Sequence, residues 1–180
     1  MSGFQYFHQN MSGALNRGFQ GHILYTFRIP EKVKTVRITF RFNKREWVGD
    51  TELLRKRCGE ALLQNVPQQY VTDDAVTTAM GYVKGEINLS VRYNGREIGG
   101  MHRNLLLKEA VIGPDRASEG FLPTRFCGGI FQVDLHCLHI VNDNTEYELK
   151  VCDAESDTEE SGAEKSSAVR SSTDGSGAAL

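Results

Sequence analysis

Alternating apolar and polar residues predict that this chain is built mainly from β-strands. In residues 22–29, HILYTFRI, every second side chain is apolar, and residues 35–43, TVRITFRFN, repeat the pattern. An alternation of period two that is rich in β-branched and aromatic residues is typical of antiparallel strands with one buried face. Pro30 ends the first run because it lacks the N–H that a neighbouring strand would need.

The same alternation returns in the second half of the chain. Residues 86–93, EINLSVRY, form one run, and Asn94-Gly95 follows it. This dipeptide is the strongest short signal for a β-hairpin, because both positions of the tight turn need a positive φ. Two further runs are predicted to be strands: residues 130–140 and residues 147–151. Residues 104–112 fit either a strand or a helical turn.

Between these two groups of strands, residues 50–80 have helical periodicity. Four residues form one apolar stripe: Leu54, Cys58, Ala61 and Leu62. Asp50 or Thr51 can cap the first turn, and Asp73-Asp74 can cap a second, shorter helix. The pattern therefore predicts a mainly β fold, a two-layer antiparallel sandwich that is jelly-roll-like and has an inserted α-helix.

The composition divides the chain into one domain and a tail. The chain has 180 residues, enough for one domain with a sizeable core. Residues 153–180 are rich in Ser, Glu, Ala and Gly and contain no aromatic residue, so they cannot bury enough apolar surface to offset the cost of ordering. We expect a β-sandwich domain at 1–152 and a disordered tail at 153–180.

Charge and hydropathy exclude several classes of function. A net charge of −2 gives no basic field for nucleic acid. No apolar run approaches the ~18 residues of a membrane helix, and the N-terminus does not resemble an export signal. The four cysteines are scattered, which favours free thiols in a reducing compartment. We expect a cytoplasmic protein that has no cofactor and binds neither nucleic acid nor membrane.

Several segments resemble a known β-domain. Gly21 begins a strand that ends at Ile29-Pro30, the stretch 117–123 contains a Gly-Phe-Leu-Pro turn, and a Gly-Gly pair at 128–129 begins the closing strands. Together with the Asn-Gly turn after residue 93, this layout resembles the N-terminal β-domain of PHP-type metal-dependent phosphoesterases of the CehA/McbA group. The resemblance covers residues 18–152 apart from the helical insertion.

The resemblance implies an accessory module without catalytic residues. In that family the metals are held by a separate downstream domain that begins with a His-x-His motif. This chain has five histidines and no His-x-His, so no catalytic residue is carried over. The leading hypothesis is a binding module for a small ligand or a protein partner. The alternatives are a subunit or remnant of a metal-dependent phosphoesterase, and a structural homo-oligomer.

One short segment contains residue types that bind metals. Asp134 and His136 lie two residues apart and therefore on the same face of a strand, whereas His139 falls on the opposite face, with the apolar residues. Two ligands hold a metal only with help from elsewhere, and His22 or His102 can supply it. The alternative is a polar outer face with no ligand.

The candidate binding residues lie in two other segments. Trp47 either stacks on a ligand or partner, or is buried and anchors the inserted helix. The loop at 113–126 is the other candidate, because loops on a rigid sheet scaffold commonly carry function. Its charged residues are Asp115, Arg116, Glu119 and Arg125. The alternative for this loop is a plain connection between sheets.

Overall fold

A computed structural model describes residues 7–154 and contains two four-stranded antiparallel sheets. The strands are β1 (His8–Leu15), β2 (Gly21–Ile29), β3 (Val36–Phe42), β4 (Glu86–Tyr93), β5 (Arg96–Met101), β6 (Leu107–Ile112), β7 (Gly129–His139) and β8 (Thr145–Asp153). The helices are α1 (Thr51–Asn65) and α2 (Asp73–Tyr82), with a short 3-10 turn at Gln68–Tyr70 between them.

The strand order is that of a jelly roll. Sheet I has the order β1-β8-β3-β6 and sheet II has the order β2-β7-β4-β5. The chain crosses from one sheet to the other at every connection except the β4–β5 hairpin. Eight strands that form two sheets by such Greek-key crossings make a jelly roll, so the predicted mainly β sandwich is confirmed.

The core lies between the two sheets and is formed by the inward positions of the alternating strands. Its largest fully buried side chains include Phe40, Phe126, Phe131, Ile38, Leu89, Leu135 and Leu149. Phe126 contacts Phe131 edge to face, with 6.0 Å between the ring centroids. Burial of such large apolar side chains is the dominant stabilising contribution to a fold of this kind.

The helical insertion follows β3 and precedes β4. Asp50 caps α1 by accepting hydrogen bonds from the backbone of residues 52 and 53. For α2 the cap is Thr72, one residue before the predicted Asp73-Asp74. The helices have a small core of their own, formed by Leu54, Cys58 and Val76. Within the described residues, neither helix is long and apolar enough to cross a membrane.

The sequence pattern missed one strand and left one undecided. The strand β1 was not predicted, and it pairs with β8 at the edge of sheet I. The undecided segment at 104–112 contains β6. The predicted tail at 153–180 lies outside the described residues except for its first two residues: Asp153 ends β8, and the Ala154 N–H donates to the Thr35 carbonyl.

Candidate functional site

Three side chains with metal-binding atoms meet on the outer face of sheet II. His22 of β2 lies beside Asp134 of β7, with its Nδ1 3.1 Å from Oδ1 and 3.2 Å from Oδ2. The His136 Nε2 lies 3.6 Å from the Asp134 Oδ2. One ligand atom from each residue lies within 4.8 Å of the other two. We call these three residues the His-Asp-His cluster.

Strand pairing explains why these residues meet. His22 is paired directly with His136 across β2 and β7, and their ring centroids are 4.6 Å apart. Asp134 lies two residues before His136, so its side chain is on the same face. The neighbouring Leu135 and Cys137 point into the core, and this burial fixes the outward face of β7. A shift by one residue would expose the core positions and bury the cluster.

The spacing of the cluster suits a transition metal. Four ligands at the usual zinc distances are about 3.3 Å apart in a tetrahedral site. The distances from the two histidine nitrogens to the Asp134 carboxylate, 3.1 Å and 3.6 Å, lie on either side of this value. Two imidazoles and one carboxylate leave at least one coordination position open for a water or a ligand. The Asp134 side chain is only 15% exposed, whereas that of His22 is 62% exposed.

The cluster is not arranged as a serine nucleophile with its base. The Ser90 Oγ lies 2.9 Å from the His136 Nε2, and Asp134 approaches the same nitrogen. A catalytic triad needs the serine and the carboxylate on the two different nitrogens of the imidazole. Ser90 is also buried. Its hydrogen bond holds the His136 Nε2, and a metal bound to that nitrogen would replace this hydrogen bond.

One further polar residue borders the cluster, on β4. Asn88 is paired with His136 and is 5% exposed. Its Nδ2 donates to the Glu86 carboxylate, and its buried Oδ1 has no hydrogen-bond partner among the described residues. The other histidine that could have completed the site, His102, is not among the residues whose ligand atoms meet.

His139 lies apart from the cluster. The pairing of β4 with β7 shifts between Glu86 and Ile87, and this bulge places His139 opposite Glu86. His139 is exposed and its Nδ1 is 3.5 Å from the Gln20 amide nitrogen. The expectation that His139 shares the inward face with the apolar residues was therefore wrong, because the extra residue in β7 reverses the alternation.

The cysteine that follows the cluster is not a ligand. Cys137 points into the core, where burial and the Asp134 carboxylate raise the pKa of its thiol to about 11. Such a thiol stays protonated at neutral pH, and only a thiolate binds metal. None of the four cysteines forms a disulfide, and all four lie within the described residues.

Trp47 lies at the base of the helical insertion and is half-buried. It packs against the small core of the helices, and the Arg17 guanidinium lies 5.7 Å from the centroid of its ring. Asn142 closes the same region, since its side chain accepts from the Val48 N–H at 2.7 Å and donates to the Glu46 carbonyl at 2.7 Å. These contacts favour Trp47 as an anchor of the insertion.

The predicted binding loop connects β6 to β7 and seals one edge of the sandwich. We call residues 113–128 the edge loop. Its Ala117 is bridged to Ile112 of β6, and its Phe121 is bridged to Gly99 of β5. Phe121 and Phe126 are buried in the core. These contacts favour the alternative prediction for this loop, that it is a plain connection between the two sheets.

The charged residues of the edge loop do not form a common site with Trp47. The edge loop begins where β6 ends and β3 begins, because Ile112 is paired with Val36, whereas Trp47 follows the other end of β3. Asp115, Arg116 and Arg125 are exposed. Glu119 pairs with Arg103 at 2.9 Å, and both side chains are more than two-thirds exposed.

The fold and the cluster together define a jelly-roll β-sandwich with a candidate metal centre on one outer face. Residues 7–158 match the model of a family of unknown function, DUF6669. The match covers most of the chain, so the protein belongs to that family. A search of the curated proteins finds no match to this chain.

Proposed function

We propose that this protein is a binding module that holds one divalent transition metal on the outer face of sheet II. The observation that carries the proposal is the convergence of His22, Asp134 and His136, whose ligand atoms lie within 4.8 Å of one another. Zinc is the ion that matches this ligand set best among common biological metals, since it accepts imidazole nitrogen and carboxylate oxygen at similar distances.

The bound metal would be the contact point for a ligand or a protein partner. Three protein ligands leave a coordination position open, and the 62% exposure of the His22 side chain keeps that side of the cluster accessible to solvent. A donor atom of a small ligand, or a side chain of a partner protein, would complete the coordination. The free thiols support a reducing compartment, and we propose that the module works in the cytoplasm.

Calorimetry with zinc on the metal-stripped protein tests the proposal. We expect one zinc per chain, and we expect Asp134→Ala and His136→Ala each to weaken binding about 100-fold, because each removes a ligand from a site with only three. The matched control is His139→Ala, which removes an exposed histidine of the same strand that lies outside the cluster. Equal binding by the wild-type protein and Asp134→Ala would rule the site out.

A second candidate function is the hydrolysis of phosphoesters, and the open coordination position is what favours it. A metal with three protein ligands can lower the pKa of a bound water and so supply a nucleophile. The resemblance to the β-domain of PHP-type phosphoesterases is likewise a proposal. Hydrolysis of bis-p-nitrophenyl phosphate by the zinc-loaded protein tests this function, and it must be lost in Asp134→Ala.

A third possibility is that the metal joins two copies of the chain. An exposed His22 can ligate a metal that is shared with a second copy, which would make the protein a homo-oligomer. Native mass spectrometry separates the cases: one zinc per monomer supports the module, and a dimer that forms only with zinc supports the oligomer.

A further inference from the structure

A second site lies at the edge of the sandwich between β5 and β6, away from the His-Asp-His cluster. A cavity of 520 Å³ opens there, bounded by the end of β5, the start of β6 and the edge loop. This volume is within the usual range of small-molecule sites. One buried cation in the lining of this cavity and the apolar residues near it favour a ligand.

The cation is Lys108 of β6, which is only 3% exposed. It occupies an inward position of its strand, in the same alternation as Ala110 and Ile112. Its Nζ donates to the Leu105 carbonyl at 3.0 Å and lies 5.8 Å from the centroid of the Phe42 ring.

Lys108 has no anionic partner at close range. Within residues 7–154, no carboxylate lies within 4.0 Å of its Nζ. A buried ammonium without a paired carboxylate is costly, and one carbonyl and one aromatic ring compensate only part of that cost. Burial lowers the pKa of Lys108 to about 8, with Arg45 adding to the effect and Glu86 opposing it.

The other charged groups of the cavity lining are at its rim or already paired. Arg103 is bound to Glu119 at 2.9 Å. Glu109 is exposed, on the outward face of β6, and His102 is exposed at the end of β5. Lys108 is therefore the buried cation of this cavity that an incoming anion would neutralise.

Three side chains of the lining are apolar. Met101 is half-buried, and Leu105 and Leu107 are 49% and 51% exposed. Leu106 beside them is 42% exposed, so three consecutive leucines are in contact with solvent. An aliphatic chain lying on these side chains would remove apolar surface from water, which is the main favourable contribution to binding a nonpolar group.

We propose that this cavity binds a small aliphatic monocarboxylate, with the carboxylate on the Lys108 ammonium and the chain against Met101, Leu105 and Leu107. One buried cation with no carboxylate of the described residues within 4.0 Å selects a single negative charge. The apolar walls select a hydrocarbon body over a sugar or a nucleotide. None of the three residues of the His-Asp-His cluster lines this cavity.

Titration calorimetry with octanoate and with 1-octanol as its uncharged analogue tests the proposal. The wild-type protein is expected to bind octanoate more tightly than 1-octanol. Lys108→Met keeps an unbranched side chain that is one heavy atom shorter, and it removes the charge. It is expected to weaken octanoate binding about 10- to 100-fold and to leave 1-octanol binding unchanged.

A second pair of variants keeps the test valid if Lys108→Met does not fold. Leu107→Glu adds a negative charge at an exposed position of the cavity wall and should weaken octanoate binding at least about tenfold, because like charges repel at short range. Leu63→Glu is the matched control, on an exposed leucine of α1. The proposal is overturned if the wild type binds neither probe, if it binds both equally, or if the two glutamate variants lose affinity alike.

Discussion

Lys108→Met is expected to change how the stability of the protein depends on pH. In the folded state the pKa of Lys108 is lowered from 10.5 to about 8, chiefly because the ammonium is buried. In the unfolded chain the same lysine is solvated and keeps its ordinary pKa. Between pH 8 and pH 10.5 the unfolded state therefore binds more protons than the folded state, so this group makes the free energy of unfolding rise with pH.

The size of the effect follows from the two pKa values. Linkage of one group with pKa values of about 8 and 10.5 gives a gain in the free energy of unfolding of about 2.5 kcal/mol between pH 7 and pH 10. Other groups titrate in the same range, among them Tyr147, whose pKa is raised by burial and by its hydrogen bond with Tyr25. Their contributions are shared by the wild type and the variant, so they cancel in the difference.

Urea unfolding at pH 7, 8, 9 and 10 measures this difference, with the fluorescence of Trp47, the single tryptophan, as the signal. At pH 7 we expect Lys108→Met to be at least as stable as the wild type, because it removes a buried charge. By pH 10 the wild type should have gained about 2.5 kcal/mol relative to the variant. Lys150→Met is the control and should follow the wild type, because Lys150 on β8 is partly exposed and already paired with Glu148.

Stability curves of the wild type and Lys108→Met that stay parallel from pH 7 to pH 10 would contradict this prediction. They would mean that Lys108 keeps its ordinary pKa when folded, so that its ammonium is solvated. An anionic ligand in the cavity would then gain nothing from neutralising a buried charge.

Three further predictions concern the other features of the structure. Zinc at about 100 times its Kd should stabilise the protein by about 2.7 kcal/mol; differential scanning fluorimetry should show the shift, and its persistence in Asp134→Asn would contradict the proposed ligands. Gly99→Ala should lower the free energy of unfolding in urea by more than about 2 kcal/mol, because φ is +140° and the new Cβ would overlap the Gly120 carbonyl oxygen. An unchanged unfolding midpoint would show that the edge loop moves to accommodate the new side chain. Asn142→Ala should lower the free energy of unfolding by about 1–3 kcal/mol and speed amide hydrogen exchange in the helical insertion. Unaltered exchange there would mean that the Asn142 hydrogen bonds do not stabilise the insertion.

Most of the strands could be predicted because the alternation in them is strong. The runs at 22–29 and 86–93 match β2 and β4, and Asn94-Gly95 forms the expected turn with φ values of +48° and +78°. The strand β1 could not be predicted in the same way, because it has few apolar residues. Its Gly13 lies against the Tyr147 ring, where an added Cβ would lie 2.6 Å from the hydroxyl oxygen. The ring packs closely on this strand because Gly13 has no side chain.

The candidate metal site was predictable only in part. The spacing of Asp134 and His136 placed them on one face of a strand, but His22 is more than a hundred residues away and joins them only through the register of β2 with β7. A single sequence does not fix that register. Lys108 was missed for a related reason: the strand at 107–112 was undecided, so the inward phase of its alternation was not assigned.

The order of strands in the jelly roll also determines when the sheets can form. The first strand pairs with the last and the second pairs with the seventh, so β1 and β2 must wait for partners from the far end of the chain. During synthesis on a ribosome, both strands leave the exit tunnel with their hydrogen-bonding groups unpaired until β7 and β8 have been made. Folding that depends on such distant contacts is slow. The two sheets therefore close in their final arrangement only after nearly the whole domain has been translated.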